Sequence, residues 1–100
     1  MASPDGLICS AIDARVLLRF DYGGLPRLAY PCAHGISTAG RPVLRGREVG
    51  VERGVQRVDM GKLFLLAGMD GVALTDEHFD RPPRGYRRGH TAMATIHCQL

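Results

Sequence analysis

Residues 16–32 read Val16-Leu17-Leu18-Arg19-Phe20-Asp21-Tyr22-Gly23-Gly24-Leu25-Pro26-Arg27-Leu28-Ala29-Tyr30-Pro31-Cys32. In the first seven, Val16, Leu18, Phe20 and Tyr22 alternate with Leu17, Arg19 and Asp21. A period of two is what an extended chain needs to present one apolar face, so this is a strand committed to a core. Gly23-Gly24 breaks it, and Leu25-Pro26 carries the chain through a tight turn. Arg27 to Cys32 returns as a second strand with Leu28, Tyr30 and Cys32 on one face. Pro31 has no N–H for a ladder, so this strand is expected to lie at an edge or to bend there.

Upstream, the pattern is helical over about 4–14. Ser3 can cap, Pro4 suits the first helical position, and Asp5 suits the positive end of the helix dipole. Leu7, Ile8, Ala11 and Ile12 form one apolar stripe, and the period switches to two at Arg15. Downstream, His34 to Arg41 is rich in small residues, with turn points at Gly35 and Gly40. Pro42 to Val51 reads as a third strand with Val43, Arg45, Arg47 and Val49 on one side. Glu52 to Met60 reads as a loop or hairpin tip. Leu63 to Leu66 is apolar enough for a fourth strand covered on both faces. After Gly68 and Gly71, Thr75-Asp76-Glu77 can cap a single helical turn. Arg81 to Gly89 reads as a loop, and Thr91 to Leu100 alternates again as a closing strand. One short helix before five or six short strands predicts a single domain over 1–100, mainly β. Its barrel, over about 15–100, is small, strongly bent and antiparallel.

The chain of 100 residues is 45% hydrophobic and 23% charged, which excludes disorder and collagen-like repeats. The longest apolar run, Leu63 to Ala67, has five residues, far below the roughly 18–20 of a membrane helix. Met-Ala-Ser-Pro-Asp-Gly carries no basic, then apolar, leader pattern, so a cytoplasmic protein without a membrane partner is expected. Cys9, Cys32 and Cys98 are too sparse for a disulfide framework and are expected as buried free thiols.

The net charge of +3 is arranged in blocks. Arg41, Arg45, Arg47, Arg53 and Arg57 outweigh Glu48 and Glu52. Asp70, Asp76, Glu77 and Asp80 form an acidic stretch, and Arg81, Arg84, Arg87 and Arg88 a basic one. Arginine is suited to bidentate phosphate contact, so a polyanion partner is permitted, although a G·C-rich genome gives the same bias.

Catalytic and metal chemistry find little support. Cys32-Ala-His34 and His97-Cys98, with His78 and His90, supply ligand types but no Cys-x-x-Cys. Adjacent His97 and Cys98 point to opposite faces of an unbroken strand. No metal and no cofactor are therefore expected. A Cys32–His34 nucleophile pair lacks an orienting third group, and Gly-x-Ser-x-Gly, Walker and dinucleotide fingerprints are absent. The chain is not expected to be an enzyme.

Taken in order, several segments resemble a WYL domain of the small stand-alone kind: Ala11-Ile12-Asp13, Leu18 to Gly24, Arg27 to Pro31, His34-Gly35, Gly40, Leu44-Arg45-Gly46, Lys62-Leu63-Phe64, Phe79 and Arg84-Gly85-Tyr86. The place of the naming Trp-Tyr-Leu triplet is held by Pro42-Val43-Leu44-Arg45, and the helix-turn-helix usual in the family has no counterpart. The resemblance implies an SH3- or Sm-like barrel that serves as a sensor module. Such a module would bind single-stranded nucleic acid or a small anionic ligand on a basic concave face. Carried onto this chain, it implies Tyr22, Arg27, Arg45 and Lys62 as the ligand-facing residues, with an aromatic ring stacking a base beside a guanidinium on phosphate. Competing readings place Tyr22 in the core with Phe20, pair Arg27 with Asp21, and leave Arg45 and Arg47 as a solvated strand face. The alternative function is a homo-oligomeric interaction subunit that extends its sheet through the Thr91–Leu100 edge.

Overall fold

The computed structural model describes residues 4–49, 51–52, 55–56, 62–82 and 93–100. Helix α1 (Pro4–Ala14) leads into β1 (Val16–Tyr22), β2 (Leu25–Ser37), β3 (Pro42–Glu48), the short pair β4 (Val51–Glu52) and β5 (Val55–Gln56), β6 (Lys62–Leu65), β7 (Met69–His78) and β8 (Met93–Gln99). The main sheet is antiparallel with order β6-β3-β2-β1-β7, and β8 also pairs with β2.

Helix α1 ends at Arg15, whose φ of 54° is left-handed without being glycine. That conformation costs about 1–2 kcal/mol. It is held on both sides: Phe79 N–H donates to the Arg15 carbonyl, and Arg15 Nη1 donates to the Asp80 carbonyl at 2.7 Å. The hairpin that follows is tighter than the sequence suggests. Gly23 and Gly24, both at positive φ, make the whole turn, and Leu25 already pairs with Tyr22. Positive φ at both central positions matches the twist of the flanking strands and suits glycine.

Strand β2 runs on through His34 to Ser37, past the expected end at Cys32. Ala29 is fully buried, whereas Leu28 and Tyr30 are only half-buried on the other face. Pro31 sits in a central strand. On one side β2 pairs with β1 up to Ala29 and with β8 from Ala33, so the missing N–H falls where the ladder passes from one neighbour to the next. On the other side the register with β3 shifts between Pro31 and Ala33, a bulge that supplies the bend.

A short connection forces the curl. Strands β6 and β7 lie at opposite ends of the sheet order, yet only the 3-10 turn Leu66–Gly68 joins them. Three such residues advance about 6 Å, whereas a flat sheet would hold the two strands about 19 Å apart. The sheet therefore bends strongly, although no ladder between β6 and β7 closes it. Inside the bend, Ile8, Ala11 and Ile12 of α1 pack with Leu18, Phe20, Ala29, Leu44, Phe64 and Met69. A smaller cluster of Ala33, Val43 and Met93 forms elsewhere in the sheet.

Two further expectations are corrected. Strand β6 buries Phe64 and leaves Leu63 and Leu65 exposed, because an edge strand of a curled sheet has one inner face. Thr75-Asp76-Glu77 lies within β7 rather than in a helical turn; Thr75 Oγ1 donates to the Leu17 carbonyl and pins the strand beside β1. The expected loop over 81–89 falls largely outside the described residues.

Candidate functional site

Of the four residues implied as ligand-facing, Tyr22 and Arg27 are engaged on the inner side of the sheet and Arg45 has the opposite phase. Tyr22 is a clasp across the bend. Its hydroxyl accepts a hydrogen bond from Leu65 N–H at 3.2 Å. Its ring meets Phe64 edge-on at 5.1 Å and Phe20 at 6.5 Å. Gly68 leaves room for that ring, since a Cβ there would lie 2.9 Å from it. Arg27 pairs with Glu48 at 2.8 Å, not with Asp21. In β3, Gly46 faces the core beside Ala29 and Leu44, so Glu48, in phase with it, lies on that same side. Arg45 and Arg47 have the opposite phase and share the outer face with Val43. Lys62 pairs with Gly46 through its backbone; its side chain lies outside the described residues.

The outer face carries a different basic grouping. Arg47 stands opposite Tyr30, Arg45 opposite Ala33, and Arg19 of β1 opposite Leu28. Tyr30 packs edge-on against Phe79 at 5.1 Å. Three guanidinium-bearing positions on two strands thus flank one half-exposed aromatic ring. The shared phase of Arg45 and Arg47 is legible in the sequence. Tyr30 and Arg19 are not, because only the register of β1, β2 and β3 places them beside it.

Cys32 lies in the bulge by this face. Burial pushes its thiol up to about 11, against the lowering charges of Arg45 and Arg47. At neutral pH it is a protonated thiol, poorly suited as a nucleophile. The other two cysteines correct the expectation of three free thiols: Cys9 of α1 and Cys98 of β8 form a disulfide, leaving only Cys32 free. Their separation of 89 residues gives no signal in the sequence; docking of α1 on β8 brings them together.

Beside that bond sits His34, 1% exposed. Its Nδ1 lies 2.9 Å from the Val43 carbonyl, and its Nε2 lies 3.7 Å from Asp5 Oδ2. Cys98 is its register partner, and the His97 ring is 5.4 Å away. His34 pairs with Cys98 while Gly35 pairs with Ile96, so His97 is the extra residue of a bulge and the alternation that would separate it from Cys98 is broken. Cys32 and His78 do not join this group, Cys32 lying by Arg45 and Arg47 and His78 on β7, whereas His90 falls outside the described residues. No three His, Cys, Asp or Glu side chains are grouped to hold a metal among the described residues. No described helix is long and apolar enough to cross a membrane. No protein-family model matches the chain, and no curated protein or solved structure matches it either.

Proposed function

We propose that this chain is a non-enzymatic binding module of the WYL type that takes single-stranded nucleic acid or a small anionic ligand on its outer face. The observation that supports it is the placing of Arg45 and Arg47 on one face of β3 with Tyr30 opposite Arg47. Guanidinium groups can take phosphates while the ring stacks a base. Arg19 extends the basic strip across β1. Of the implied set this face carries Arg45; Arg27 pairs with Glu48 on the other side of the sheet, and Tyr22 serves the bend. Cytoplasmic placement belongs to the same reading, with the Cys9–Cys98 bond then open to reduction.

The test is a fluorescence-anisotropy titration of a labelled short oligonucleotide at several salt concentrations. Three neutralised phosphates give a log–log slope of about −2, at about −0.7 each. Arg45→Ala and Arg47→Ala each weaken binding by about 1.5–3 kcal/mol, the scale of a hydrogen bond to a charged group, whereas Arg27→Ala does not. Absence of salt dependence, or equal losses at Arg27 and Arg45, rejects the site.

A second reading rests on the open edge of β8, which pairs only with β2 among the described residues. That edge suits sheet continuation into a second copy. A strictly monomeric mass at micromolar concentration rejects it.

A further inference from the structure

The His34 imidazole is built like a ligand waiting for an acceptor of its lone pair. With Nδ1 facing the Val43 carbonyl at 2.9 Å, the hydrogen of the neutral ring belongs on Nδ1, and Nε2 carries the lone pair. Nε2 is buried and has no hydrogen-bond partner. Such an atom is costly to leave unpaired inside a protein. A backbone carbonyl holding the far nitrogen is also the usual support of a metal-binding histidine, because it fixes both tautomer and ring orientation.

The groups around Nε2 are the right kind. Asp5 and Cys9 are four residues apart on α1 and share one helix face. Asp5 Oδ2 is 3.7 Å from Nε2, close to the roughly 3.3 Å between two ligands of a tetrahedral ion with bonds of about 2.0–2.1 Å. Cys9 is bonded to Cys98, and Cys98 lies opposite His34 in the sheet. Zn–S bonds of about 2.3 Å need the two sulfurs about 3.8 Å apart, a separation that opening the disulfide allows while the Cα atoms stay near their present 5.7 Å.

We propose that the reduced chain binds one zinc-type divalent cation through the thiolates of Cys9 and Cys98, Nε2 of His34 and the carboxylate of Asp5. The disulfide and the ion are then alternative ties between α1 and the sheet. A dithiol reductant donates two electrons and two protons, the S–S bond breaks to two thiols, and the reductant leaves as its own disulfide. The cation then displaces the two thiol protons to solvent as both metal–sulfur bonds form. One tie suits an oxidising environment and the other a reducing one, and both hold α1 over the same core.

Cobalt(II) titration of the full chain, reduced with a phosphine under anaerobic conditions, reads the site directly through sulfur-to-cobalt charge-transfer and tetrahedral d–d absorption. The expected result is saturation at one equivalent per chain, displacement by zinc, and no such absorption in the oxidised protein or in C9A/C98A. His34→Asn keeps a donor for the Val43 carbonyl but lacks Nε2, and Asp5→Asn changes a half-exposed helix residue. With folding confirmed by circular dichroism, each weakens binding at least tenfold. No charge-transfer band in the reduced wild type overturns the proposal. So does a band of unchanged affinity in both variants, which would mean the thiols bind alone.

Discussion

Severing the Cys9–Cys98 bond should destabilise this fold strongly, and the size of the effect follows from topology. The bond joins α1 to β8 across 89 residues, so it closes nearly the whole chain into one loop. Chain entropy for a loop of about 90 residues gives about 4.6 kcal/mol, and native disulfides commonly deliver about 2–4. For a domain of this length, 1 kcal/mol moves Tm by about 4–8 °C, so a drop of roughly 10–25 °C is expected. The assay compares thermal and urea melts of oxidised wild type, reduced wild type and C9A/C98A, all with a chelator to exclude metals. The urea m-value should rise once the cross-link is gone, because the unfolded chain exposes more surface. Thiol titration of the unreduced, denatured protein should find one reactive group, Cys32. Three reactive thiols, or oxidised and reduced melts within about 2 °C of each other, would refute the reasoning.

Three smaller perturbations test other joints. At Gly35, a Cβ would collide with the Thr95 carbonyl and lie 2.9 Å from Ile96 Cα; Gly35→Ala should displace β8 and cost about 1–3 kcal/mol, read as a lower urea midpoint. Tyr22→Phe removes the hydroxyl that accepts from Leu65 N–H and should cost about 0.5–1.5 kcal/mol without altering oligonucleotide affinity; a loss of affinity at unchanged stability would return Tyr22 to the ligand face. Arg27→Ala breaks a partly exposed pair with Glu48, so calorimetry should show a loss of about 1 kcal/mol or less.

How legible the molecule is depends on the range of the interactions involved. Helix α1, β1 and the Gly23-Gly24 turn are governed by local periodicity and backbone freedom, and both stand in the sequence. β2 misleads because its small and polar residues, Ala33, His34 and Gly35, look like a turn. They are buried in a strand because β3 and β8 cover both of its edges. β7 misleads for the converse reason. Its acidic, open edge resembles a capped turn, and only pairing with β1 keeps it extended. The candidate sites are still more remote from sequence. Alternation along β3 gives Arg45 and Arg47, but their aromatic neighbour comes from the phase of β2, which the Pro31–Ala33 bulge alters.

The same bulge logic explains why metal-type chemistry is hidden in this chain. Ligand sets are usually legible as short spacings because one loop must deliver two donors. Here the close spacing lies within α1, where Asp5 and Cys9 are one helical turn apart, and neither is recognisable until β2 and β8 supply His34 and Cys98. The Cys32-Ala-His34 pair, which does have a short spacing, is a distraction. The shift at Pro31–Ala33 leaves Cys32 beside Arg45 and Arg47, while His34 takes its place opposite Leu44 and Cys98. Proximity in the chain and proximity in the sheet select different cysteines as the partner of His34. The unsatisfied Nε2 favours the choice made by the sheet, because it points the imidazole toward α1.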